Sequence, residues 1–61
     1  MRYLVEYVHG DISDVKHEAV IIEAALSKEP TYEEENRIFK PIILREMGHS
    51  DIKIMNYKQL D

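Results

Sequence analysis

The chain has 61 residues, no cysteine, and 12 acidic against eight basic residues, for a formal charge of −4. That length accommodates a single domain, 1–61, with one small core, and the missing cysteines exclude disulfides and thiolate metal sites. The acidic balance works against a phosphate backbone, so no direct nucleic-acid partner is expected. No apolar run approaches the roughly 20 residues of a bilayer span, so no membrane partner is expected either.

The opening residues, Met1-Arg2-Tyr3-Leu4-Val5-Glu6, place a carboxylate where a signal peptide needs an unbroken apolar run. With the absence of cysteine, this leads to the expectation of a cytoplasmic protein. Residues 2–9 are rich in aromatic and β-branched types and read as a strand. Tyr3, Val5 and Tyr7 share one face of it, and Leu4, Glu6 and Val8 the other. His9-Gly10-Asp11 then supplies turn chemistry.

The stretch 13–28 supports two readings. As a helix, Ser13 is its N-cap and Val15, Ala19, Ile22 and Leu26 form an apolar stripe. As a strand over 17–25, it pairs with the first strand through a loop at 10–16. Val20, Ile22 and Ala24 then face one way, and Ala19, Ile21 and Glu23 the other. The β-branched run Val20-Ile21-Ile22 favours the strand. So does architecture, because three strands with a helix across one face make a minimal two-layer core.

Ser27 to Pro30 is a break, after which Thr31-Tyr32-Glu33-Glu34 matches a capping box: the Thr31 hydroxyl accepts from the Glu34 amide and the Glu34 carboxylate reaches back. Ile38, Phe39, Ile42, Ile43 and Met47 form the buried stripe of the helix, and Gly48 is placed to end it. Pro41 cannot donate to the Arg37 carbonyl, which predicts a kink near Arg37 or a division into two short pieces, the kink being the simpler. In 51–60 alternation returns, with Ile52, Ile54 and Asn56 on one face and Lys53, Met55 and Tyr57 on the other. The predicted fold is α+β: a small two-layer β-β-α-β domain, a three-stranded sheet with one helix packed on one face. The alternative order is β-α-α-β.

Chemistry-bearing patterns are few. His9, His17, Asp11 and Asp14 form a loose cluster across the predicted hairpin loop, with ligand types suited to zinc or manganese. Without metal-ligand spacing they read better as polar loop residues, turn formers and caps, and neither a metal nor a cofactor is expected. Ser13, Ser27 and Ser50 lie in no nucleophile elbow, and two glycines do not make a phosphate loop. His49-Ser50-Asp51 has the residue types of a catalytic triad, but adjacent residues cannot converge on one another, so it reads as a helix-to-strand connector. The chain resembles the small oligomeric tautomerases in length and in an initial strand ending at Gly10. Those enzymes use an N-terminal proline as base, and here Arg2 follows Met1. No catalytic residue is expected.

Two surface features are candidates for partner binding. Tyr3, Tyr7 and Tyr57 are expected to line the sheet face that a single helix leaves bare, where tyrosine gives large contact area at low entropic cost. The competing reading has these rings covering core edges with their hydroxyls in water. Glu33, Glu34 and Glu35, with Glu29 before them, form an acidic patch that reads either as a dock for a basic groove or as a solvated helix N-terminus. The expected function is that of a noncatalytic protein-binding module, a regulator or inhibitor of a larger protein. Phages and mobile elements are rich in short reading frames of this kind. An open sheet edge is also compatible with a homodimer. The alternatives are a small oligomeric enzyme with an intersubunit site and an acidic nucleic-acid mimic.

Overall fold

A computed structural model describes all residues, 1–61, and its elements run β1 (Arg2–Asp11), β2 (Asp14–Glu23), α1 (Tyr32–Met47) and β3 (Ile52–Gln59). The ambiguous stretch is therefore a strand. β1 offers it a partner along its whole length, from Arg2 opposite Glu23 to Asp11 opposite Asp14, and the ladder outweighs the weak helical stripe.

The hairpin is tighter than the sequence suggests, since β2 starts at Asp14 and only Ile12 and Ser13 make the turn. Asp11 organises it. Its Oδ1 accepts from the Ser13 hydroxyl at 2.8 Å, the Asp14 amide at 2.9 Å and the Ser13 amide at 3.1 Å. These bonds, led by the Ser13 hydroxyl, hold the Asp11 carboxyl below its ordinary range. Gly10 has φ +106°, and a Cβ built there would overlap the Asp14 carbonyl oxygen. The turn needs glycine at that position.

β3 adds antiparallel to the other edge of β1, giving the order β2-β1-β3. Here the simple alternation of the sequence breaks down. Val5 pairs with Tyr57 and Glu6 with Asn56, but Tyr7 pairs with Ile54, so Met55 is an extra residue in a β-bulge. Crossing the bulge exchanges the faces. Tyr57 joins Ile52 and Ile54 on the helix side, and Asn56 turns to the open side, the reverse of the expected assignment.

At the start of α1 the Thr31 hydroxyl accepts from the Glu34 amide at 3.1 Å. The second half of the capping box differs. The Glu34 carboxylate accepts instead from the Ser27 amide (2.7 Å) and the Ser27 hydroxyl (2.9 Å), tying the preceding connector to the helix. Gly48 ends the helix at φ +75°, its amide donating to the Leu44 carbonyl at 2.9 Å. Pro41 lies exposed within a helix that runs unbroken through 16 residues, so the division into two pieces does not occur.

The core forms between α1 and one face of the sheet: Tyr3, Val5 and Tyr7 from β1, Ile22 from β2, Ile52 and Ile54 from β3, and Phe39 and Ile43 from α1. Phe39 is central, with its ring 5.6 Å from Tyr3 and 5.2 Å from Tyr57 between centroids. The result is the expected α+β architecture in β-β-α-β order. No helix is long and apolar enough to cross a membrane.

Candidate functional site

The three tyrosines expected on a bare sheet face lie on the covered one. Tyr3 is 4% exposed and Tyr7 1% exposed, both beneath α1, and half-buried Tyr57 packs edge-on against Phe39 and Tyr3. The apolar stripe of the helix selected the sheet face that buries most hydrocarbon. On β1 that is the aromatic face. Tyr3 and Tyr7 therefore offer no contact surface.

The acidic patch is also largely engaged within the chain. Glu34 holds Ser27, and its carboxyl is kept below the ordinary range mainly by the Ser27 amide. Glu35 accepts a 2.6 Å hydrogen bond from the Tyr57 hydroxyl. Of the three carboxylates only Glu33 makes no hydrogen bond within the chain and stands exposed.

The face left bare is the other one, and it is more apolar than the sequence suggested. Leu4 and Val8 on β1 pair with Ile21 and His17 on β2, and with Lys58 and Lys53 on β3. Ile21 is 58% exposed, Val15 50% and Met55, at the bulge, 57%. The molecule is long and narrow, 37 × 19 × 17 Å, and Ile12 at the apex of the hairpin is fully exposed. Charge is arranged across this face, with Lys53 and Lys58 on the β3 edge, Glu23 on the β2 edge, and Arg2 and Glu6 between them.

A second feature lies on the helix side of the sheet, beyond the C-terminal end of α1. Pairing places Tyr7 opposite Glu18 and His9 beside Ile52, at the start of β3. The connector after Gly48 must cross this end of the sheet, and it brings His49 onto His9. The two imidazoles stack with centroids 3.7 Å apart and planes 15° apart. The Tyr7 hydroxyl is 2.8 Å from His49 Nδ1. Burial, and then the nearby charge of Glu18, push the Tyr7 phenol above its usual pKa, so it stays neutral. His9 Nε2 is buried and has no hydrogen-bond partner, an arrangement that costs about 1–3 kcal/mol when uncompensated. Ligand atoms of His9, Glu18 and His49 all lie within 4.8 Å of one another.

This is not the cluster the sequence suggested. His17 pairs with Val8, which puts it on the open face with the sheet between it and His9. Asp11 and Asp14 belong to the turn. Only His9 of that group joins the polar site. Glu18 was legible in principle, because a two-residue turn at Ile12-Ser13 fixes it opposite Tyr7. No local signal points to His49, whose position depends on the direction of the helix.

No known protein family, curated protein or solved structure matches this chain. Two of its own surfaces bear on function, the open sheet face and the histidine cluster.

Proposed function

We propose that the protein is a noncatalytic protein-binding module, a regulator or inhibitor that acts by covering a surface of a larger protein with the open face of its sheet. The observation that carries this reading is the band of exposed and half-buried apolar side chains on that face, running from Leu4 and Ile21 through Val8 to Val15 and ending at Ile12. Glu6 and His17 interrupt this band, and an exposed run of apolar side chains set among charges is characteristic of interaction surfaces. The charges specify the partner: an apolar patch flanked by acidic groups opposite Lys53 and Lys58, and by a basic group opposite Glu23. Three strands about 4.8 Å apart and about 33 Å long present on the order of 500 Å². That scale suits a small, reversible interface rather than an obligate one. The cysteine-free chain fits a reducing compartment, and the reading places the protein in the cytoplasm.

The test is capture of a stoichiometric partner by the wild-type chain, repeated with Ile21→Glu and Val15→Glu. Both side chains are exposed, so both variants are expected to keep the wild-type circular dichroism spectrum. Each should weaken the complex at least about tenfold, or roughly 1.4 kcal/mol. Undiminished binding by two folded variants would remove this face from consideration. Self-association abolished by the same substitutions would assign the face to a second copy of the chain.

A further inference from the structure

We infer that His9, Glu18 and His49 form a binding site for a divalent transition-metal cation of the zinc type, a clip that joins β1, β2 and the connector between α1 and β3. The site is independent of the open face, from which the sheet separates it. Two imidazole nitrogens and one carboxylate oxygen are the donor set of open-coordination zinc sites, with a fourth position left for water or an incoming ligand.

Three observations carry the assignment. The first is convergence. Three residues far apart in sequence bring their ligand atoms to within 4.8 Å of one another. Bonds of about 2.0–2.1 Å in a tetrahedron set the ligand atoms about 3.3 Å apart, so closure takes a contraction of about 1.5 Å at most. Closure requires the two imidazoles, stacked 3.7 Å apart, to turn about their side-chain bonds so that one nitrogen of each faces the ion.

The second is the vacant donor. His9 Nε2 is buried with no partner in the chain, and a metal ion would satisfy it. The third is support from behind. With the proton of His49 on Nδ1 and donated to the Tyr7 oxygen at 2.8 Å, Nε2 is left with its lone pair free. A ligating histidine held through its other nitrogen is the usual outer-shell arrangement of such sites. Tyr7 is then a positioning residue, not a ligand. A domain this small, without disulfides, also gains most from a clip of this kind.

The experiment uses the untagged full chain, stripped with chelator, titrated with Zn²⁺ by calorimetry and with Co²⁺ by visible absorption. Saturable 1:1 binding is expected, with the intense d–d bands of a four-coordinate Co²⁺ site. In the nitrogen-correlated NMR spectrum the imidazoles of His9 and His49 should shift on binding, while that of His17 should not. His49→Gln and Glu18→Gln, each checked for folding by circular dichroism, should weaken binding at least tenfold, and His17→Gln should leave it unchanged. Absence of saturable 1:1 binding would overturn the inference. So would binding that survives both folded substitutions, or binding that is lost with His17.

Discussion

The Tyr57 hydroxyl donates a 2.6 Å hydrogen bond to Glu35 Oε2, tying the last strand to the first turn of the helix across 22 residues of sequence. One contact thus makes a core-edge ring of Tyr57 and an internal acceptor of Glu35. Its existence depends on the bulge at Met55, because a regular strand would put Tyr57 on the other side of the sheet.

Tyr57→Phe keeps the ring packing but loses this bond, and is expected to lower stability by about 1 kcal/mol in urea denaturation. The bond to Glu35, then burial, then the Glu35 charge raise the Tyr57 pKa from 10.0 to about 12. Because the folded value lies above the unfolded one, this stabilisation is fully present below about pH 10 and disappears as pH rises through about 12. The wild-type chain should therefore lose stability more steeply than Tyr57→Phe across that window, and parallel curves would argue against the bond.

Glu34 gives the opposite dependence. Its bonds to Ser27 hold its folded pKa below the ordinary 4.5, so their contribution is present above that value and is lost as pH falls through the lower folded value. Glu34→Gln should lower the melting temperature near neutral pH, with the difference closing in acid. Thermal melts at both ends of the range check this. A difference that persists in acid would mean that the substitution acts through the amide geometry instead.

The two glycines should respond very differently to alanine. At Gly48 a Cβ meets nothing within 4 Å, so Gly48→Ala costs only the left-handed backbone, about 1 kcal/mol. At Gly10 the same substitution carries the backbone cost plus overlap with the Asp14 carbonyl oxygen. Its loss should exceed that of Gly48→Ala by at least about 1 kcal/mol, since a backbone atom has to move. Chemical denaturation of both variants side by side is the measurement, and equal losses would contradict the tight hairpin.

The bulge makes its own prediction. Met55→Ala removes an exposed side chain and should change stability by no more than about 0.5 kcal/mol. Deleting Met55 removes the extra residue, so regular pairing runs on from Ile54 opposite Tyr7 to Asn56 opposite Glu6 and Tyr57 opposite Val5, with Ile52, Ile54 and Tyr57 all on the helix side. That variant is expected to keep cooperative unfolding and a well-dispersed NMR spectrum, losing only the local twist that the bulge adds. Collapse of that dispersion would contradict the register in which Met55 is the unpaired residue.

Much of the fold was legible from short-range physics. Alternation in 2–9 separated Tyr3, Val5 and Tyr7 from Leu4, Glu6 and Val8, and the structure keeps that division. Thr31 and Gly48 marked the ends of the helix, since caps act within a turn. The β-branched run at Val20 to Ile22 marked the second strand, with Ile22 facing the core. The caps act within a turn, whereas the second strand also needed its ladder with β1, in which Ile22 lies opposite Tyr3.

Tertiary structure alone decided which face the helix covers, and so which residues are available to a partner. Tyr3 and Tyr7 went inside because Phe39 and Ile43 needed a large apolar surface to pack against, a choice made by total buried area and not by any one strand. The bulge at Met55 reversed the faces within β3, because pairing to β1 on both sides of it outweighed regular alternation. The meeting of His9, Glu18 and His49 required a hairpin register, a helix direction and a connector path at once. The sequence by itself determined the first strand and its two faces, the helix with its caps, and the presence of a closing strand, because those follow from local hydrogen bonding and side-chain periodicity. It left 13–28 between helix and strand and missed the bulge in β3. Which faces meet, and which polar groups they bring together, is settled by long-range packing, to which every residue of the core contributes.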